Sequence, residues 1–382
     1  MIDTVALTIQ PKDFRILDHK RFTPSSMGLF VPPYYEFGRN AFIKCVYNPS
    51  KKDMEKYKYL PRLTLMKAIR NGGFSITLKV EFSAPKLLHG NNFDELEEPD
   101  FGELCWKLKG MLLYMGIEIQ DIKAISEADI SAIHYSKNII LTDYSTPYTI
   151  LKEVAKVNVN RLLDMNQTDF RNEGHAIKYH SNDYELTFYD KLKDLKQAKI
   201  SEKRSVERDN YVQVSLFDQL EMKEPFEVLR MEVRLGSRKK IKDVLKAVKI
   251  HIEVLNFTSL FSRFISQEVL LYTLSKIEQG YPTILTATTK TNEELLIQLM
   301  IDNPKMKYKN VLALIGAKSL LSEVGTRNFR QITDKFGKSN WYRLNKEMKT
   351  LTLSKKLNPF TFLRDEIIIF KQIMLEDYKD KM

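Results

Sequence analysis

Cysteine is nearly absent: Cys45 and Cys105 are the only two in 382 residues, and no Cys-x-x-Cys pair occurs. That excludes a disulfide framework and a zinc ribbon. No apolar run approaches the roughly 20 residues that span a bilayer. The opening MIDTVALTIQ alternates like a strand and lacks the basic start and long apolar core of a secretory signal. Internal repeats and low-complexity tracts are also missing. A soluble, cytoplasmic protein without a membrane partner is expected. Acidic residues fall short of basic ones, 49 against 60, which leaves a formal charge of +11. The bases are interleaved with acids, so they form no disordered tail, but they thicken in 191–209 and 234–249. Such a surface attracts polyanions, of which nucleic acid is the commonest, or is simply a solvated basic face.

Hydrophobic periodicity organises what is there. FSITLKVEFSAPK (74–86) places Ile76, Leu78, Val80 and Phe82 on one face, with Lys79 and Glu81 on the other, and HGNN (89–92) ends it as a loop. The stretch before it, marked by the turn signals VPPYY and NPSKKD, reads as loop-rich. FGELCWKLKGMLLYMG (101–116) carries a helical stripe that stops near Gly116. DISAIHYSKNIIL (129–141) reads as a strand, and STPYTILKEVAKVNVNRLLDM as a helix capped by Ser145 or Thr146 with Pro147 first. A strand runs into Tyr189, and FEVLRMEVRLG (226–236) is another. The pattern predicts an α+β fold with a sheet domain over 1–250. After about residue 250 the periodicity turns helical, giving a second domain over 251–382. Within it, 326–351 resembles a helix-turn-helix, with a break at Gly337 and a basic helix carrying Trp341, Tyr342, Arg343 and Lys346. That helix suits contact with DNA or with another protein.

In NDYELTFYDKLKDLKQAK (182–199) the strand alternation puts Tyr184, Leu186 and Phe188 on one face and Glu185, Thr187 and Tyr189 on the other. From Asp190 the stretch reads as a helix, with Asp190 as its N-cap. Two further strands carry polar-face candidates, Glu81 and His134. In LRMEVRL, Arg230, Glu232 and Arg234 share one face by the two-residue period, a row that can equally be a structural ion ladder.

Taken in order, MIDTVALTI, KVEFSAPKLLHGNN, ISAIHYS, LTFYDKLKDL and LRMEVRL resemble segments of the replication-initiation proteins of filamentous phages, the gene II type, and their plasmid-borne relatives. The resemblance covers most of the first 250 residues and fades after about residue 255. It implies a rolling-circle initiator of the broad histidine–hydrophobic–histidine (HUH) endonuclease class, on a ferredoxin-like or RRM-like antiparallel sheet. Such an enzyme nicks single-stranded or supercoiled origin DNA, leaving a 5′-phosphotyrosyl link and a 3′-hydroxyl primer. Its other partners would be the host helicase and polymerase. Carried over by position, Tyr189 matches the nucleophile and Lys191 the lysine two positions on. Glu81, His134 and Glu232 match polar positions for a metal, with His89 as a substitute. Lys86, Asn91, Asn92, Arg230 and Arg234 fall where DNA phosphates would be held. One departure is plain: the class signature is two histidines two apart, whereas here His134 is followed by Ser136.

The chemistry fits these residue types. A phenol with a pKa near 10 is a poor nucleophile at neutral pH, so a divalent cation must polarise the scissile phosphate. Two carboxylates and an imidazole suit Mg²⁺ or Mn²⁺. Lys191 is expected to lower the tyrosine pKa or hold the phosphate, and Arg230 and Arg234 to grip flanking phosphates through their guanidinium forks. Two competing readings stand beside this one. The first is a relaxase or single-strand transposase using the same chemistry. The second is a non-enzymatic DNA-binding control factor, which needs the basic surface but neither metal nor Tyr189.

Overall fold

Strand periodicity becomes one large sheet in the computed structural model, which describes residues 1–30, 42–49, 53, 56, 59–70, 73–194 and 227–377. The strands in chain order are β1 (Ile2–Ile9), β2 (Phe14–Ile16), β3 (Phe22–Thr23), β4 (Phe42–Tyr47), β5 (Arg62–Arg70) and β6 (Gly73–Ser83). They continue with β7 (Ile117–Ile119), β8 (Asp129–Leu141), β9 (Gln167–Arg171), β10 (Ala176–His180), β11 (Tyr184–Asp190) and β12 (Glu227–Leu235). Ten of them form an antiparallel sheet in the order β3-β4-β5-β6-β1-β8-β12-β11-β10-β9, and β2 pairs with β7 apart from it. The protein is α+β, with a large antiparallel sheet and a helical C-terminal region.

One face of the sheet is the core. Val5 and Leu7 of β1, Ile133 of β8, Met231 and Val233 of β12, and Leu186 and Phe188 of β11 are all buried. Helices α3 (Pro147–Ala155), α4 (Arg238–Ala247), α5 (Arg263–Gly280) and α9 (Thr361–Ile369) pack against these central strands. The alternate residues, among them His134, Glu232 and Tyr189, lie on the other face and are only partly buried. Local chemistry sets several ends. Thr146 caps α3, its hydroxyl accepting from Thr149 N at 3.3 Å, with Pro147 in the first position. Helix α2 (Phe101–Tyr114) buries Leu104, Cys105, Leu108 and Leu112, and the chain turns out of it at Gly116 with φ +84°.

Several elements depart from the sequence reading. β6 stops at Ser83, and Ala84–His89 form a short helix, α1, with proline in its first turn and Gly90 closing it at φ +78°. The stretch read as loop-rich holds β4 and β5, whose alternation was masked by the turn residues around them. VPPYY lies outside the described residues, as does the basic run 191–209 beyond Asp194. Helix α3 ends at Ala155, and after a break the expected span continues only as a short helix, Val159–Leu162, before the hairpin β9–β10.

Packing does not divide the chain at residue 250. The core under the sheet takes in Phe257, Leu260, Ile265, Val269 and Leu274, then Phe360, Leu363 and Ile367. A second core is built from Ile284, Leu295, Leu299, Leu314, Leu321, Phe329, Trp341 and Met348. It holds α6 (Asn292–Asp302), α7 (Tyr308–Asp334) and α8 (Lys338–Thr350) together. Gly337, at φ +117°, makes the break between α7 and α8. Trp341 is 3% exposed and packs edge-on against Phe329 at 6.1 Å, so it is a core residue and not a reader of DNA. Tyr342, Arg343 and Lys346 are exposed. No helix among the described residues is long and apolar enough to cross a membrane.

Candidate metal centre and nucleophile

The site lies where four neighbouring strands, β1, β8, β12 and β11, present their polar face. In register, Arg234 of β12 faces His134 of β8, Glu232 faces Ser136, and Arg230 faces Asn138. On the other side of β12, Thr187 faces Glu232 and Tyr189 faces Arg230. His134 and Glu232 are therefore diagonal neighbours, within reach of each other, and His134 Nδ1 lies 2.9 Å from Glu232 Oε1.

The third member of the cluster is Asp3, which sequence reasoning passed over. By strict alternation Asp3 shares the parity of Val5, Leu7 and Ile9, the core face. The pairing of β1 with β8 slips by one residue between Ile2 and Val5, and this bulge turns Asp3 to the polar face beside His134. An acid on the apolar parity of MIDTVALTI was the available signal. Ligand atoms of Asp3, His134 and Glu232 all lie within 4.8 Å of one another. Two carboxylates and one imidazole are a donor set suited to Mg²⁺ or Mn²⁺, and the residues fit such an ion. Glu81 is not part of this cluster. It sits in register with Ala6 and Arg62, and its carboxylate pairs with Lys79 at 3.4 Å.

Arg230 holds the cluster from beneath. It is 2% exposed, and its fork donates to Asp3 Oδ1 at 2.7 Å, Ser136 Oγ at 2.9 Å, Asn138 Oδ1 at 3.1 Å and the Asn92 carbonyl at 2.9 Å. A guanidinium so engaged offers no fork to DNA, which corrects the phosphate role expected of it. Burial pushes the Asp3 carboxyl up, but Arg230, with His134, Lys191 and Lys86, overrides it and keeps the carboxyl below its ordinary range. Arg234 is exposed and takes no part in this network. Asn91 is also committed internally: its amide donates to Asp94 and its Oδ1 accepts from Phe93 N and Asp94 N. Asn92 contributes its carbonyl to Arg230, and Lys86 and Asn92 line a cleft beside the cluster. His89 has a buried Nε2 with no partner and stands outside the Asp3–His134–Glu232 cluster.

No family model, curated protein or solved structure matches this chain. Its function must be argued from the site.

Tyr189, next to last in β11, lies on the same face opposite Arg230, as the alternation predicts. Burial drives its phenol well above 10; Arg230 pulls it down, while Glu232, Asp194 and Asp3 push it further up. The strongest cation acting on the phenol is thus Arg230. Asp190 does begin a helical turn, its Oδ1 accepting from Lys193 N at 2.9 Å. Lys191 is fully buried, its Nζ has no hydrogen-bond partner, and it lies 5.6 Å from the centre of the Tyr189 ring. Burial, reinforced by Arg230, lowers its pKa to about 7. A lysine in that state is a proton acceptor, not a fixed cation.

Proposed function

We propose that the protein is a metal-dependent DNA-nicking strand transferase of the rolling-circle initiator type, with Tyr189 as nucleophile. One observation carries the reading: a two-carboxylate, one-imidazole cluster shares a sheet face with a tyrosine one strand away. Resemblance of five ordered segments to the phage gene II type supports it, as does the net charge of +11. The finer fold reading, an HUH-like nicking domain, belongs to the same proposal.

Asp3, His134 and Glu232 would hold Mg²⁺ or Mn²⁺, which supplies polarisation of the scissile phosphate and offsets charge developing on its oxygens. If His134 donates its Nδ1 proton to Glu232, its Nε2 is left for the metal and its ring is oriented by the carboxylate. Two of the three carboxylates that raise the Tyr189 pKa, Glu232 and Asp3, belong to this cluster, so a cation held there would ease loss of the phenolic proton. Tyr189 Oη forms a bond to phosphorus as the bond from phosphorus to the 3′-oxygen breaks. Lys191 takes the phenolic proton, and the departing 3′-oxygen takes a proton from solvent to become the 3′-hydroxyl. Arg234, exposed beside His134, is the guanidinium available to a flanking phosphate.

The test is a cleavage assay on a single-stranded library and on supercoiled DNA, with Mn²⁺ or Mg²⁺, comparing wild type with Tyr189→Phe. A metal-dependent covalent protein–DNA adduct that the substitution abolishes is expected. No adduct on any DNA, with binding intact, would leave a non-enzymatic DNA-binding factor. Adduct formation confined to transfer-origin or transposon-end DNA would leave a relaxase or transposase.

A further inference from the structure

A cleft of about 710 Å³ opens directly beside the cluster, with Asp3 and His134 at one end. That volume lies within the range of small-ligand sites and is far larger than a cation requires. Part of its lining is set before any ligand arrives. The Tyr47 ring packs edge-on against Phe22 at 5.8 Å, and its hydroxyl accepts from Arg21 at 3.4 Å. The Tyr59 hydroxyl accepts from Ser83 N at 2.5 Å. Pro49 and Pro61 also line the cleft.

Other lining residues carry both signs of hydrogen-bonding group. Arg62 and Glu81 face each other in register across β5 and β6, and both line the cleft. Arg62 only donates and an ionised Glu81 only accepts. This pairing discriminates between ligands. A second phosphate group has acceptors alone, so although Arg62 and Lys86 in the same cleft would attract it, it would leave Glu81 against a like charge. A nucleobase presents donors and acceptors on adjacent edges and adds a planar face that tyrosine and proline side chains can border. The Lys79–Glu81 ion pair does not stand in the way. At 3.4 Å, with both side chains more than a third exposed, it is weak and opens readily.

We propose that this cleft is a nucleobase pocket, which takes one unstacked base of the strand whose phosphate lies at the Asp3–His134–Glu232 cluster. The inference rests on the nicking reading for the identity of the polymer and adds what the site recognises. It also gives Glu81 a role the metal cluster does not. Glu81 reads a base, and the position it reads is the nucleotide adjacent to the cut. Unstacking that base costs a few kcal/mol in a duplex and less in single-stranded DNA, so single-stranded or locally melted DNA is the preferred substrate.

The experiment uses the full chain and an oligonucleotide selected from a random single-stranded library by binding. A series is made with one abasic site moved stepwise through it, and affinities are measured without metal by fluorescence anisotropy. One position is expected at which loss of the base weakens binding about tenfold or more, while its neighbours change little. With Glu81→Gln or Arg62→Ala, that position should become indifferent to the base while the salt dependence of binding to the intact strand changes little. Equal effects at every position would overturn the pocket, as would a uniform rise in affinity with Glu81→Gln, which marks simple backbone repulsion. Adduct formation is scored separately. A strand that binds with one base-sensitive position but never forms an adduct supports the pocket and overturns the nicking reading. An adduct with no base-sensitive position does the reverse.

Discussion

Replacing Lys191 by methionine should make the protein more stable and less active. Methionine fills nearly the same space without an ammonium group. The Lys191 side chain is fully buried with its amine unpartnered, and its pKa falls from 10.5 to about 7. The folded state thus binds this proton less tightly than the unfolded chain does. Between pH 7 and 10.5 the unfolded chain carries more protons, so wild-type stability rises with pH through that window. At about 1.4 kcal/mol per pH unit, the buried amine costs the fold roughly 4 kcal/mol at pH 7 and about 2 kcal/mol at pH 9. Lys191→Met should therefore gain stability over wild type at pH 7, with about half that gain left at pH 9. Urea denaturation of both proteins at the two pH values measures this directly, because other titrating groups contribute equally to both. The same variant should lose adduct formation, as expected when a stabilising change removes a functional group. A gain that does not vary with pH, or no gain at all, would refute the reasoning and mean that the ammonium finds a partner in solution.

Further outcomes follow from the same geometry. His134→Ala should weaken Mn²⁺ binding at least tenfold by calorimetry, whereas Glu81→Gln should leave it unchanged; the reverse result would move the metal towards β6. Arg230→Ala should destabilise by about 3–5 kcal/mol, since it leaves Asp3 buried without its counter-charge. Arg234→Ala should instead leave the melting temperature nearly unchanged and lower the slope of log affinity against log salt by about 1. Trp341→Ala should cost about 3–5 kcal/mol through loss of core packing, while Tyr342→Ala should stay within about 0.5 kcal/mol. A stable Trp341→Ala protein that no longer binds DNA would contradict the core placement of that ring.

What could be read from the chain alone follows the reach of each physical signal. The two-residue period is local, so the faces of β8, β11 and β12 were legible, and with them His134, Glu232 and Tyr189. The union of His134 with Glu232 needed the register of strands 98 residues apart in sequence, which no local pattern encodes. Asp3 was hidden because a bulge reverses the parity on which the reading depends. Burial is likewise a tertiary property. Arg230 and Arg234 look equivalent in LRMEVRL, yet one is enclosed by Asp3, Ser136 and Asn138 and the other meets solvent. Lys191 was expected beside the tyrosine as a fixed cation, and its full burial without a partner could not be read until the packing around it was known. Helical periodicity after residue 250 was correctly seen, but it carries no information about which core a helix joins.

The last described segment has a consequence for synthesis. Lys371 O accepts from Lys137 at 2.6 Å, Ile373 N and O both bond to Glu95, and Leu375 N donates to Asp94 at 2.6 Å. The loop so clasped carries Asn92, whose carbonyl holds Arg230. Because chains emerge from the ribosome N-terminus first, β1 and its Asp3 are made early but must wait for residues 371–375 before the loop beneath the cluster is fastened. A chain arrested before residue 360 would possess every candidate catalytic residue and still lack this clasp. Release of such truncated chains should therefore give protein with a protease-sensitive 89–95 loop and little nicking activity.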